Sequence, residues 1–205
     1  MMSTYERVAA ILYGCCGVEA DNRWITTKPF RIGEHVYATD GKMCVRTSLP
    51  IEVEELSEGR PPAADKLAWR NCQLPRVSIW PVKMPSMPST ERCTSCRGFG
   101  LQECDLGHEH KCEGCDGTGY VTPDIFVEPV RVGTVRLWPT DVAMVQAMGA
   151  EFCIGATPMG FCGDGFEGLV VPVHHEGDTI VMRPHRVIHA RSFIASVGNQ
   201  TLSQV

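Results

Sequence analysis

A short cysteine motif occurs twice in this 205-residue chain and constrains its fold more than any other feature. The copies are Cys93-Thr-Ser-Cys96-Arg-Gly-Phe-Gly100 and Cys112-Glu-Gly-Cys115-Asp-Gly-Thr-Gly119, so each has the form CxxCxGxG. Two residues between paired cysteines let both sulfurs turn onto one ion, and the glycines permit the tight turns that this requires. The motif predicts one structural Zn²⁺ per chain, with Cys93, Cys96, Cys112 and Cys115 as its ligands. A metal-free loop or another metal is the alternative.

Three further residues with metal-binding side chains lie between the two copies: Cys104, His108 and His110. Three ligands without a fourth make an incomplete structural site. We therefore interpret this stretch as an exposed hairpin, and a second metal site formed by these three residues is the alternative.

Cysteine content and hydropathy favour a cytoplasmic protein that does not interact with membranes. The N-terminus lacks the apolar stretch of a secretory signal, and no run approaches the roughly 18 apolar residues that span a bilayer. In a reducing compartment, paired cysteines are expected to bind metal. The single cysteines are interpreted as buried small hydrophobic residues: Cys15, Cys16, Cys44, Cys72, Cys153 and Cys162. The formal charge of −5 offers no general electrostatic attraction for nucleic acid.

The sequence around the motif predicts the order helix, strands, insertion, helix, strands. Residues 3–16 combine a capping box with apolar residues at helical spacing, and Asp40-Gly41 predicts a hairpin turn. Thr140 is expected to cap the second helix. Short apolar runs up to residue 194 are expected to be strands, and the basic stretch 183–191 is interpreted as an exposed edge strand.

These elements predict an α+β fold made of two units, each a helix with an antiparallel sheet, that together form one domain. That domain is expected to comprise residues 1–85 and 122–205. A small zinc-binding hairpin module at 86–121 interrupts it, because residues 84–90 have the composition of a linker. Residues 196–205 are expected to be a disordered tail.

The paired CxxCxGxG motif resembles the cysteine-rich domain of DnaJ-type co-chaperones, in which four repeats hold two zinc ions. This chain has two repeats, and the resemblance covers only about residues 91–120. The chain has no His-Pro-Asp tripeptide, so the resemblance does not imply a co-chaperone cycle.

The segment His35-Val-Tyr-Ala-Thr-Asp-Gly-Lys-Met-Cys-Val-Arg resembles a strand-turn-strand signature of the bacterial DNA sliding clamp, the beta subunit of the replicative polymerase. A second segment, beginning at Phe161-Cys-Gly-Asp-Gly-Phe, resembles the closing strand pair of a clamp domain. The resemblance implies a clamp-like domain, with enough chain for one of the three domains of a clamp subunit. Self-association into a ring stays open.

We predict that the chain acts by binding and is not an enzyme, because no nucleophile elbow or phosphate loop is present and a zinc ion closed by four thiolates cannot activate water. The hypothesis is an accessory protein of viral or mobile-element DNA metabolism whose zinc hairpin recognises a protein partner. The expected partner-binding residues are Phe99, Leu101, Leu106 and Tyr120. DNA contact, if it occurs, is expected at Arg183, Arg186 and Arg191. The alternatives are a chaperone-like or host-inhibiting module without a DNA role, and an enzyme with an unrecognised site.

Overall fold

The structure is a computed structural model that describes residues 2–17, 27–53, 63–103, 107–173, 180–182 and 184–198. Its helices in these ranges are α1 (Thr4–Gly14), α2 (Pro139–Ala147) and α3 (Pro184–Gly198), with 3-10 helices at Ala64–Lys66 and Trp69–Gln73. No helix among the described residues has the length and apolar character needed to cross a membrane.

The strands of the described chain fall into one large sheet and four small ladders. They are β1 (Phe30–Ile32), β2 (His35–Thr39), β3 (Met43–Thr47), β4 (Arg76–Val77), β5 (Glu91–Arg92), β6 (Leu101–Glu103), β7 (Glu109–Lys111), β8 (Tyr120–Val121), β9 (Ile125–Val127), β10 (Val130–Val132), β11 (Val135–Leu137), β12 (Glu151–Cys153), β13 (Met159–Gly163), β14 (Phe166–Val170) and β15 (Ile180–Met182).

Helix α1 confirms the predicted capping box. The Ser3 hydroxyl accepts a hydrogen bond from the Glu6 N–H, and the Glu6 carboxylate accepts one from the Ser3 N–H, which satisfies donors that the first turn leaves unpaired. Val8, Ile11 and Leu12 are fully buried, so the apolar stripe of the helix faces the core.

The predicted hairpin between β2 and β3 is also confirmed. Asp40 accepts hydrogen bonds at Oδ1 from the N–H groups of Lys42 and Met43, at 2.9 and 2.7 Å, and Gly41 adopts a φ of +82° that glycine tolerates without strain. The turn sets a register in which Ala38 pairs with Val45 and Tyr37 pairs with Arg46.

The main sheet is antiparallel and has the order β1-β2-β3-β14-β13-β12-β4. Strand β3 hydrogen-bonds directly to β14, although 121 residues separate the paired positions Arg46 and Glu167. Strands from before and after the cysteine motif therefore share one sheet. The α+β class is confirmed, while the division into two clamp-like units stays a prediction.

Each face of the main sheet carries its own hydrophobic cluster. The larger cluster packs the three helices on one face, with Val36, Val45 and Phe161 contributed by the sheet. The smaller cluster lies on the other face, beneath the 3-10 helices. Its buried members are Phe30, Tyr37, Cys44, Ala64, Trp69, Cys72, Cys153, Cys162 and Leu169.

Helix α3 corrects the predicted edge strand over 183–191. Val187, Ala190, Phe193 and Val197 recur at intervals of three and four residues, and all four are buried. The spacing of these buried residues is that of a helix, whereas the strand prediction was based on a short alternation of polar and apolar residues. The helix ends at Gly198, so residues 196–198 of the predicted tail (196–205) are helical. Residues 199–205 lie outside the described residues.

The start of α2 corrects a second detail. The capping residue is Trp138, and Pro139 occupies the first helical turn, where its missing N–H and fixed φ are favourable. Thr140 therefore lies inside the helix and is fully buried, which differs from its predicted role as the cap.

Candidate metal centre

The two motif copies fold into matching knuckles, knuckle 1 (93–100) and knuckle 2 (112–119). In each, the three residues that follow the second cysteine include two with positive φ, and the motif ends on a glycine that also has positive φ. The angles are +55°, +90° and +77° at Arg97, Gly98 and Gly100, and +51°, +78° and +78° at Asp116, Gly117 and Gly119. The repeated sequence thus produces a repeated backbone, for which glycine is the favoured residue.

Reciprocal backbone hydrogen bonds join the knuckles. The Cys93 N–H donates to the Gly119 carbonyl oxygen, and the Cys112 N–H donates to the Gly100 carbonyl oxygen, both at 2.9 Å. Strands β5 and β8 pair outside this junction on one side, and β6 and β7 pair on the other. The first cysteine of each knuckle is therefore held against the last glycine of the other.

The knuckles touch closely at two glycines. A Cβ atom on Gly100 would lie 2.3 Å from the Gly117 carbonyl oxygen, and one on Gly119 would lie 2.4 Å from the Gly98 carbonyl oxygen. No side chain fits at either position without backbone movement, so the glycines explain how the two sulfur pairs come together.

Four buried sulfurs meet at this junction. The ligand atoms of Cys93, Cys96, Cys112 and Cys115 all lie within 4.8 Å of one another. The Cys93 and Cys112 sulfurs are 3.8 Å apart, and the Cys96 and Cys115 sulfurs are 3.6 Å apart. A tetrahedral ion with Zn–S bonds of about 2.3 Å requires S···S distances of about 3.8 Å. The donor set can hold a metal ion and is compatible with zinc.

Backbone donors stabilise negative charge on these sulfurs. The N–H groups of Gly100 and Gly119 donate to the sulfurs of Cys96 and Cys115, each at 3.2 Å. The N–H of Cys96 is the main cause that lowers the pKa of Cys93 to about 6, whereas burial raises the pKa of Cys112 to about 11. Four sulfurs this close cannot all ionise without a cation, because like charges disfavour the charged form.

A cation bound by these four sulfurs could not take part directly in a reaction. Four cysteine ligands complete the tetrahedral shell and leave no position for water or substrate, as in structural zinc sites. The cluster can therefore stabilise the fold of the segment, while the metal would have no vacant coordination position for catalysis.

The alternative second metal site between the knuckles lies only partly within the described residues. His110 lies on β7 opposite Gln102, and both His108 and His110 are exposed. Cys104 lies outside the described residues. Among those that the structure describes, no group of potential ligands includes either histidine.

Exposed apolar side chains surround the knuckles, as the partner-binding prediction requires. Phe99 is 82% exposed, Leu101 48% and Tyr120 49%. Leu106 lies outside the described residues. Motif symmetry makes Phe99 the counterpart of Thr118, whose hydroxyl lies 2.7 Å from the carbonyl oxygens of both Cys115 and Tyr120. Phe99 cannot make such hydrogen bonds and stands in solvent.

Two of the basic residues predicted to contact DNA, Arg186 and Arg191, lie on α3. Arg191 is exposed, and its guanidinium donates to the Pro85 carbonyl oxygen at 3.0 Å, so it joins α3 to the segment before the knuckles. Arg183 and the side chain of Arg186 lie outside the described residues.

Met84 and Met87 pack against Ile125, Met182 and Val187, so part of the predicted linker belongs to the folded core.

A second group of potential ligands was missed by the sequence analysis. Cys72, Cys162 and Glu167 place their ligand atoms within 4.8 Å of one another, and the Cys153 sulfur lies 3.7 Å from that of Cys162. Cys153 and Cys162 lie on neighbouring predicted strands, which was the available signal. No spacing rule connects Cys72 to them, because it arrives on a 3-10 helix.

Comparisons with known proteins found no matching family model, no matching curated protein and no matching solved structure. The resemblances to the DnaJ-type cysteine-rich domain and to the sliding clamp therefore remain sequence-based predictions.

Proposed function

We propose that this chain is a non-enzymatic accessory protein that binds one Zn²⁺ at the four-cysteine site and uses the zinc-stiffened knuckles to recognise a protein partner. Phe99 carries the proposal. A large aromatic side chain that is 82% exposed beside a closed metal cluster contributes little to folding. A rigid apolar group in solvent can instead bind a partner at a low cost in conformational entropy.

The symmetry of the module strengthens this argument. Leu101 and Tyr120 follow the last glycines of knuckles 1 and 2, respectively, and both are about half exposed. Together with Phe99 they give the module three large apolar side chains in solvent. Aromatic residues are enriched among the side chains that dominate protein interfaces, whereas acidic residues are depleted there. The acidic side chains of the segment fit the polar rim of such an interface.

Capture of binding partners from the native host tests the proposal. We expect the double variant Phe99→Ser and Leu101→Ser to lose captured partners while zinc content and thermal unfolding stay unchanged. Phe126→Ser is the matched control, because Phe126 is 72% exposed on β9, outside the knuckles. Equal capture by the wild type and the double variant would contradict the proposed surface.

The proposal does not extend to DNA. Arg191 already donates a hydrogen bond to the Pro85 carbonyl oxygen, which occupies part of its guanidinium. DNA contact at Arg183, Arg186 and Arg191 stays a prediction, and triple substitution by Ala should weaken retention on DNA-cellulose at low salt if it holds.

A further inference from the structure

The second group of cysteines lies in the smaller hydrophobic cluster, between the main sheet and the 3-10 helices. Cys153 and Cys162 come from β12 and β13, and Cys72 comes from the second 3-10 helix. All three residues are at most 6% exposed. The ligand atoms of Cys72, Cys162 and Glu167 all lie within 4.8 Å of one another, while Cys153 is outside this group and its sulfur lies 3.7 Å from that of Cys162.

Two of the three thiols share one hydrogen-bond acceptor, which isolated buried cysteines do not. Cys153 and Cys162 both donate to the Cys72 carbonyl oxygen, at 3.4 and 3.1 Å, and the Cys72 thiol donates to the Gly168 carbonyl oxygen at 3.2 Å. Three polar side-chain atoms therefore converge on one small volume inside an otherwise apolar layer. Cysteines that served only as buried small hydrophobic residues would not need to lie this close together.

The charged groups beside these cysteines and an open cavity next to them also suit a bound cation. Arg46 contacts Oε1 of Glu167, with its Nε at 2.6 Å, and Arg76 lies opposite Cys153 in the β4–β12 ladder. A divalent cation and the Arg46 guanidinium would balance two thiolates and one carboxylate. Cys162 and Glu167 line an open cavity of about 360 Å³ together with both arginines, which offers an entry path.

We propose that Cys72, Cys162 and Glu167 form a second metal site for a thiophilic d¹⁰ cation, with the fourth coordination position open to the cavity. Two sulfurs and one oxygen, with a water molecule as the fourth ligand, suit the tetrahedral coordination of Zn²⁺ and of the softer Cd²⁺. Metal binding releases two thiol protons and competes with Arg46 for the carboxylate, so this site binds more weakly than the four-cysteine site. One zinc remains through purification, and the second site fills when metal is added.

Titration with Cd²⁺ alone tests the site, followed by thiolate-to-cadmium charge-transfer absorbance and by equilibrium dialysis. The wild type is expected to bind two Cd²⁺ per chain, the second at least tenfold more weakly. Cys162→Ser should lose the second equivalent and keep the first. Cys44→Ser is the matched control, because Cys44 is buried in the same cluster but outside the ligand group, and it should keep both.

Saturation of the wild type at one Cd²⁺, or retention of the second equivalent by Cys162→Ser, would overturn the proposal. A second measurement uses the wild-type chain, so its result does not depend on whether Cys162→Ser folds. In the wild type, the second equivalent of Cd²⁺ should slow alkylation of Cys162 at least tenfold, as read by peptide mass spectrometry. An unchanged alkylation rate would equally refute the site.

Discussion

The contact between Gly100 and the other knuckle makes a quantitative prediction about metal affinity. A Cβ at this position would lie 2.3 Å from the Gly117 carbonyl oxygen, in a backbone with φ of +77°. The left-handed conformation costs a non-glycine residue about 1–2 kcal/mol. Forcing a methyl group into a packed site adds about 1–3 kcal/mol. Because the clash falls on backbone, the knuckles must separate, and metal affinity must fall.

Gly107 provides the matched control for Gly100→Ala. Its φ of +76° is nearly the same, but the nearest atom to an added Cβ is a Glu103 side-chain oxygen at 3.6 Å. Gly107→Ala is therefore expected to cost only the energy of the left-handed backbone conformation, about 1–2 kcal/mol, without a steric clash. The steric difference of about 1–3 kcal/mol predicts that Gly100→Ala binds zinc about 5- to 150-fold more weakly than Gly107→Ala.

Competition with a chromogenic zinc chelator measures both affinities. Gly119→Ala should behave like Gly100→Ala, since its added Cβ would lie 2.4 Å from the Gly98 carbonyl oxygen. Equal affinities for Gly100→Ala and Gly107→Ala would refute the argument that close approach of the knuckles assembles the site.

Three further predictions concern stability. Cys96→Ser should remove amide protection from residues 91–120 in hydrogen exchange while the main sheet stays protected, because metal binding and folding are coupled in such knuckles at about 10–16 kcal/mol; retained protection would contradict this. Replacement of 89–121 by a short Gly-Ser loop should leave a core that melts cooperatively, since Met84 and Met87 stay in place; a wholly unfolded product would show that the module is integral. Gly14→Ala should destabilise the protein by about 1–3 kcal/mol in urea unfolding, because its Cβ would lie 2.4 Å from the Phe193 ring; Phe193→Leu added to it should restore part of the loss.

Local sequence signals predicted the elements whose stabilising contacts lie close in the chain. The Ser3 capping box and the Asp40-Gly41 turn each form hydrogen bonds within four residues, and both are confirmed. The four-cysteine cluster was also predictable, because its motif specifies the sulfur positions, the turns and the glycines together.

Features that depend on distant contacts escaped the sequence analysis. Residues 184–191 of the predicted strand are helical, because burial of Phe193 and Val197 against the other helices decides their period. The cluster around Cys162 depends on a 3-10 helix that brings Cys72 across 90 residues of sequence. No local pattern contains that information, since only the completed sheet places these sulfurs side by side.

Zinc analysis combined with X-ray absorption at the zinc edge tests the central claim most directly. The protein should retain one zinc per chain through gel filtration, with four sulfur neighbours at about 2.3 Å, and Cys96→Ser should lose that signal. Absence of zinc, a shell containing nitrogen or oxygen ligands, or an unchanged spectrum in Cys96→Ser would contradict the assignment of Cys93, Cys96, Cys112 and Cys115 as the metal ligands.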